Sequence, residues 1–154
     1  MATVPADRAG GSPRDIVRHP GGSVILPLMS DDQIVMIRNR RVAVDDVLWE
    51  LPAGTRGPGE DPAAVAAREL EEETGYRAAR IEPFGWFFTT PGFTDERLDA
   101  YIARDLTHVG QHLDPGESID VHVCSATSVV EMIDDGRIRD AKTIAVVLRW
   151  MAAR

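Results

Sequence analysis

The chain has 154 residues, enough for one domain with a buried core, and its 44% hydrophobic and 27% charged residues are ordinary for a globular protein. Its formal net charge of −8 argues against a nucleic-acid partner, because binding a phosphate backbone needs a basic surface. No run approaches the roughly 18 apolar residues of a membrane-spanning helix, and Met1 to Pro20 hold no apolar signal-peptide core. The single cysteine, Cys124, excludes an internal disulfide. We therefore expect a cytoplasmic protein with neither a membrane nor a nucleic-acid partner.

The first part of the chain predicts an arm and then three strands. Residues 1–20 contain little that can pack and are predicted to be flexible, whereas residues 21–154 are predicted to form one domain. Apolar runs bounded by turn residues predict strands at Ser23–Leu28, Gln33–Arg38 and Val47–Leu51.

A loop and a helix follow. The composition of Thr55–Gly59 predicts the loop. Asp61 is suited to cap the helix and Pro62 to occupy its first position, while Gly75 is suited to end it in a left-handed conformation.

The second half of the chain predicts more strands and two helices. The strands are expected at Arg80–Phe88, Leu98–Arg104 and Ile119–Ser125, and the helices at Ser128–Asp135 and Thr143–Ala153. Because strands and helices do not alternate regularly, this order favours a mixed α/β sandwich over a doubly wound parallel sheet.

Acidic residues are concentrated on the predicted central helix. Glu69, Glu72 and Glu73 are spaced i, i+3 and i+4, so they share one helical face and repel one another. No basic residue lies between Glu69 and Tyr76. A solvated acidic helix would explain three glutamates, but carboxylates on one face also suit hard divalent cations such as Mg²⁺. Glu60, in the loop before the helix, could add a fourth ligand or brace the helix.

The complete pattern around these glutamates is more specific than the cluster alone. It reads Gly54, five residues, Glu60, seven residues, and then Arg68-Glu69-Leu70-Glu71-Glu72-Glu73-Thr74-Gly75-Tyr76. This string resembles the Nudix box at every fixed position, and its only departure is Tyr76 in a usually aliphatic slot. The resemblance implies an α/β/α sandwich around a mixed β-sheet and a magnesium-dependent hydrolase that cleaves a pyrophosphate bond.

The resemblance also implies roles for the box residues. Glu69, Glu72 and Glu73, with the backbone of Gly54, would hold Mg²⁺, for which Mn²⁺ could substitute. Glu72 and Glu73 would also take part in catalysis. Arg68 would form an ion pair that orients the glutamates, so that Arg68 and Glu60 support the site from outside.

Residues outside the box resemble the ADP-ribose pyrophosphatase subfamily and imply a nucleotide-sugar substrate. The stretch Glu50-Leu51-Pro52-Ala53-Gly54 is similar to that group's lead-in, and Pro91-Gly92 lies at the distance from the box where such enzymes carry a marker proline. Pro91-Gly92 also fits a plain turn, and Glu96 could face either the substrate or solvent. The candidate substrate-binding residues are Arg38, Arg41, Glu50, Pro91, Gly92 and Glu96.

Two further expectations come from the same resemblance. Glu117, in the loop before the strand at Ile119, is the candidate general base, with Glu73 as the alternative. A homodimer is also implied. However, the residues before the first predicted strand are too few for the strand-exchanging subdomain of many relatives, and Arg40 replaces an aromatic residue common in the group.

The resemblance leaves other functions open. The expected reaction is hydrolysis of ADP-ribose to AMP and ribose 5-phosphate. A GDP-sugar or a nucleoside triphosphate is the alternative substrate. A non-catalytic ligand-binding module is disfavoured because such modules usually have eroded boxes.

Overall fold

The computed structural model of the chain describes residues 2–4 and 14–154. It contains nine strands, which are β1 (Ala2–Val4), β2 (Arg14–Ile16), β3 (Gly22–Ser30), β4 (Gln33–Arg41), β5 (Asp46–Glu50), β6 (Ala53–Thr55), β7 (Tyr76–Phe88), β8 (Arg97–His108) and β9 (Ile119–Ser125). Three α-helices accompany them, α1 (Pro62–Thr74), α2 (Ala126–Asp134) and α3 (Ala141–Ala152). Among the described residues, none of these helices is long and apolar enough to cross a bilayer.

Seven of the strands form one mixed sheet. Its order is β5-β4-β3-β8-β7, with β6 paired to β3 and β9 paired to β4. Strands β3 and β8 run parallel, and the other pairs are antiparallel. The predicted mixed α/β architecture is therefore confirmed.

Helices cover both faces of this sheet. Neighbouring side chains of a strand point to opposite faces, so a strand that is apolar throughout presents apolar side chains on each face. On β3, Val24 and Leu26 belong to an apolar cluster with Val129 of α2 and Val147 of α3. Ile25, between them, belongs to a second cluster, with Ala66 and Leu70 of α1. The result is an α/β/α sandwich with α1 alone on one face.

Helix α1 begins and ends where its capping residues predict. The Asp61 side chain accepts a hydrogen bond from the Ala63 amide, and Pro62 occupies the first helical position. Gly75 ends the helix with a φ of 72°, a left-handed conformation that costs glycine little. Local capping thus fixes the start of α1 and the turn into β7.

We expect Gly75→Ala to destabilise the protein more than Gly59→Ala does. Both glycines have a φ of 72°, but only at Gly75 would a Cβ atom meet another segment, 2.8 Å from the Gln111 amide nitrogen. The left-handed strain alone costs about 1–2 kcal/mol at either position. Urea unfolding of both variants measures the difference. Equal losses in the free energy of unfolding would mean that the contact with Gln111 contributes nothing to the difference.

Two short strands lie within the predicted N-terminal arm, residues 1–20, whose flexibility stays a prediction. Within the described residues, β1 and β2 pair antiparallel as a separate two-stranded sheet, with Ala2 opposite Ile16. Val17 then bridges to Thr94 next to the main sheet. Backbone pairing can form without an apolar core, so composition did not indicate it.

Candidate active site

Arg68 lies among the glutamates of the box. Its Nη1 atom donates to Glu69 and to Glu72, at 2.8 Å each, and its Nε donates to Glu60 at 3.3 Å. Glu60 also accepts from the Gly57 amide at 2.9 Å, and this bond, followed by Arg68, holds the pKa of Glu60 below its usual range. Glu60 therefore occupies a bracing position between the loop and α1.

Glu73 is the most buried carboxylate of the box, with 5% of its surface exposed. It accepts one hydrogen bond, from the Ala53 amide at 2.9 Å. Burial raises the pKa of Glu73 to about 8, and the nearby charges of Glu69 and Glu117 add to the rise. The folded chain thus holds a carboxylate whose negative charge is only partly compensated.

Glu69 lies against the backbone of Gly54. A Cβ atom at Gly54 would sit 1.8 Å from Glu69 Oε1, so only glycine admits this carboxylate. Burial also raises the pKa of Glu69, although Arg68 opposes the shift. A backbone segment and two poorly compensated carboxylates, Glu69 and Glu73, therefore meet at one place.

This donor set fits a hard divalent cation. All its groups are oxygen donors, and the raised pKa values of Glu69 and Glu73 show that positive charge would stabilise their ionised forms. Across residues 2–4 and 14–154, no three acidic, His or Cys side chains already surround a common point in metal-ligand geometry. Two of the predicted ligands, Glu69 and Glu72, are engaged by Arg68 instead.

The raised pKa of Glu73 predicts that this residue destabilises the metal-free protein as the pH rises. The folded state holds the Glu73 proton more tightly than the unfolded state, so its contribution is complete below about pH 4 and is lost towards pH 8. We expect wild-type stability relative to Glu73→Gln, in chelator, to fall by about 2–3 kcal/mol between pH 5.5 and 8. Urea unfolding of both proteins at each pH measures this difference in stability. A difference independent of pH would contradict the prediction.

A cleft of about 380 Å³ opens beside these carboxylates. Residues of β6 join the two features, since Ala53 and Gly54 line the cleft while contacting Glu73 and Glu69. The other lining residues are Gly22, Arg41, Thr55, Thr89, Thr90, Glu96, Leu98, Asp140, Ala141 and Lys142.

Glu50 holds two cationic side chains of the cleft, those of Arg41 and Lys142. Only 1% of it is exposed, and it accepts two hydrogen bonds from Arg41, at 2.8 and 2.6 Å, and one from Lys142 at 2.6 Å. Burial opposes ionisation, but Arg41 and Lys142 overcome it and hold the pKa of Glu50 below its usual range. Glu50 is therefore a fixed anion that orients two cations at the cleft.

The predicted substrate residues on the β7–β8 connection do not all lie in the cleft. Glu96 lines the cleft and accepts a 2.6 Å hydrogen bond from the Thr89 hydroxyl. Pro91 lines a neighbouring hollow beside Phe88, and Pro91-Gly92 forms part of a turn closed by the Phe93 amide on the Thr90 carbonyl. The structure thus brings Glu96 to the cleft, and it does not bring Pro91 or Gly92 there.

Arg38 also lies away from the cleft. It is three residues from Arg41 on β4, so the two side chains leave opposite faces of the sheet. Its guanidinium lies over the ring of Trp49, 5.6 Å from the centroid, and its buried Nε has no hydrogen-bond partner among the described residues. Of the two predicted arginines, only Arg41 reaches the site.

Glu117 occupies the loop between β8 and β9. Its Oε2 atom accepts from the Asp114 amide at 3.1 Å, and its own amide donates to the Asp114 carbonyl. Its charge contributes to the raised pKa values of both Glu69 and Glu73. Glu117 is therefore close enough to the box carboxylates to act on them electrostatically.

The sequence did not lead us to name Lys142 or Asp140 as site residues. Asp140 caps α3 by accepting from the Thr143 amide at 3.0 Å, and it accepts from Lys142 at 2.9 Å. A lysine in the first turn of a helix is disfavoured by the helix dipole, so Lys142 needs anionic partners. That unfavourable placement was the signal that could have found this pair.

Comparison with known proteins agrees with this geometry. The Nudix domain family model matches residues 18–147. The chain is 38% identical over 138 residues to the methanol dehydrogenase activator of Bacillus methanolicus, covering 88% of this chain and 75% of that protein. It is 34% identical over 134 residues to the ADP-ribose pyrophosphatase of Bacillus subtilis strain 168, covering 86% and 72%.

Another relative and a solved structure extend this picture. The ADP-ribose pyrophosphatase of Escherichia coli strain K12 is 32% identical over 148 residues, which cover 90% of this chain and 70% of that protein. A crystal structure of an ADP compounds hydrolase matches with a TM-score of 0.77 and 20% identity, covering 86% of this chain and 71% of the other, and so supports the fold. The chain therefore belongs to the Nudix family of pyrophosphohydrolases.

Proposed function

We propose that this enzyme hydrolyses the pyrophosphate bond of a nucleoside diphosphate sugar, and that ADP-ribose is cleaved to AMP and ribose 5-phosphate. The observation that carries the proposal is the shared position of Ala53 and Gly54, which line the cleft and also contact Glu73 and Glu69. A substrate in the cleft would thereby lie beside the box carboxylates. Two of its relatives, the ADP-ribose pyrophosphatases of Bacillus subtilis and Escherichia coli, favour this substrate.

Magnesium is the proposed metal, with manganese as a substitute. Glu69, Glu72, Glu73 and the backbone of Gly54 would hold it, and Arg68 donates to two of these carboxylates, those of Glu69 and Glu72. When bound, such an ion neutralises charge on the pyrophosphate and orients the attacking water. Carboxylate and carbonyl oxygens are the ligands that this cation prefers.

The cleft residues would then bind the substrate around the reacting bond. Arg41, held by Glu50, offers a fixed positive charge to the pyrophosphate oxygens. Glu96 and the threonines Thr89 and Thr90 offer polar groups to the sugar hydroxyls. Glu117 is the proposed general base, since it is the acid outside α1 that acts on both Glu69 and Glu73.

A substrate panel tests the proposal. ADP-ribose, GDP-mannose, NADH, diadenosine polyphosphates and 8-oxo-dGTP are incubated with enzyme and Mg²⁺, and products are identified by chromatography. We expect AMP and ribose 5-phosphate from ADP-ribose, with the highest kcat/KM of the panel. A strong preference for a triphosphate or for GDP-mannose would overturn the substrate assignment and leave the family assignment standing.

We also propose that the enzyme works as a homodimer in the cytoplasm. Three aromatic side chains, Trp86, Phe88 and Phe93, are each about half exposed, and Trp86 packs against Phe88. Apolar patches of this kind often mark contact surfaces. Sedimentation analysis should show a dimer that Trp86→Arg with Phe88→Arg weakens, whereas a wild-type monomer at micromolar concentration would contradict the proposal.

A further inference from the structure

The chain leaving β8 caps the end of α1. The Val109 and Gly110 amides donate to the Gly75 carbonyl at 2.8 and 3.2 Å, and the His112 amide donates to the Glu72 carbonyl at 3.0 Å. The last carbonyls of a helix have no partners within the helix. Here the carbonyls of Glu72 and of Gly75, just after the helix, receive their partners from the segment 109–112.

Gln111 adds the side-chain part of this contact. Its Nε2 atom donates to the Glu73 carbonyl at 2.7 Å and to the Ile119 carbonyl at 3.2 Å. Both partners are acceptors, so the amide orientation is unambiguous and both of its hydrogens are used. Gln111 thus connects the end of α1 to the first residue of β9.

This connection closes the base of the loop that holds Glu117. The loop, residues 113–118, leaves the capping segment just after Gln111 and His112 and returns to the sheet at Ile119. Ile119 is buried, with 6% exposed, and pairs with β4, so the return point is fixed. Within the loop, the described contacts of Glu117 are made with its own turn, through Asp114.

We propose that Gln111 is a positioning residue for the reaction. By joining the Glu73 and Ile119 carbonyls, it sets the distance between the box helix and the Glu117 loop. It does not line the cleft, and it acts through the position of Glu117. The inference rests on the proposed role of Glu117 as the base.

A double-mutant cycle tests this inference. Gln111→Met keeps the side-chain length and removes both donors, and Gln111→Asn, which keeps an amide that is too short to span both carbonyls, serves if the methionine variant does not fold. We expect Gln111→Met to lower kcat by about 10–100-fold with KM changed less than about 3-fold, the scale of a misplaced catalytic group. In a Glu117→Gln background, the same change should lower kcat by less than about 3-fold, because positioning an absent base has no effect.

His112→Ala is the matched control. His112 is adjacent in the same segment, but its hydrogen bond to α1 uses its backbone amide, which alanine retains. We expect its kcat to stay within about 3-fold of wild type, since substitutions away from specific contacts have small effects. An equal loss in His112→Ala and Gln111→Met would assign the effect to general disturbance of the segment and overturn the inference.

The cycle separates failure of this inference from failure of the proposed function. If wild type does not turn over ADP-ribose, the substrate proposal fails, and amide hydrogen exchange still tests Gln111. Exchange at residues 113–118 should be faster in Gln111→Met than in His112→Ala, and equal exchange would overturn the inference. If wild type is active and the effects of the two substitutions on kcat simply multiply, only the proposed role of Gln111 is wrong.

Discussion

Replacing Glu73 with glutamine should remove turnover by a factor of at least about 10³, which corresponds to about 4 kcal/mol of transition-state stabilisation. Glutamine keeps the size and the acceptor for the Ala53 amide, so the fold should be retained. It removes the buried negative charge that the proposed metal would neutralise. The same variant should be more stable than wild type in chelator at pH 8, because burial penalises that charge.

Steady-state kinetics and a Mg²⁺ titration measure this effect. Glu71→Gln is the matched control, because Glu71 belongs to the same helix but pairs on the surface with Arg77, at 2.8 and 2.9 Å. Solvent screens that exposed pair, so the control should stay within about 3-fold of wild type. If Glu73→Gln kept a tenth of wild-type activity, the assignment of Glu73 to the metal would fail.

The expected loss of activity and gain in metal-free stability of Glu73→Gln have one cause. Glu69 and Glu73 are held where their ionised forms are disfavoured, by burial and by mutual repulsion. Functional sites commonly keep such groups at a cost to the fold. Glu50 shows the contrasting arrangement, since it is equally buried but its charge is already satisfied by Arg41 and Lys142. Glu69 and Glu73 are therefore available to an added cation. Glu50 is available only to hold Arg41 and Lys142 in place.

Local patterns predicted the helix of the box correctly. The bounds of α1 follow from Asp61, Pro62 and Gly75, which act within a few residues of one another. Apolar patterning also located β9 with its observed bounds, Ile119–Ser125. Element ends elsewhere were less accurate, because β7 begins at Tyr76 and β8 extends to His108, where pairing between the strands continues through polar residues.

The contacts that shape the cleft could not be predicted from local patterns. Lys142 contacts Glu50 across 92 positions of sequence, and Gln111 contacts Glu73 across 38. Such pairs depend on the register of the sheet and the placement of α3, which no short window encodes. The face of Arg38 was missed for a different reason, since the predicted strand ended at Arg38, whereas β4 continues to Arg41 and its alternation separates the two arginines.

Glu117→Gln should lower kcat by about 10²–10⁴-fold with KM little changed, the loss typical of a general base. Glutamine retains an oxygen that can accept from the Asp114 amide, so the turn of the loop should persist. Asp114→Asn is the control, because Asp114 contributes to this turn through its backbone and should stay within about 3-fold of wild type.

A second measurement on Glu117→Gln separates the base from its rival Glu73. Because the charge of Glu117 contributes to the raised pKa values of Glu69 and Glu73, its removal should lower both. The pH-dependent loss of metal-free stability should therefore end at a lower pH and reach a smaller total than in wild type. If that shift is observed while kcat is unchanged, Glu117 lies beside the carboxylates without serving as the base. Together with an inactive Glu73→Gln, this outcome would move the proton-accepting role to Glu73.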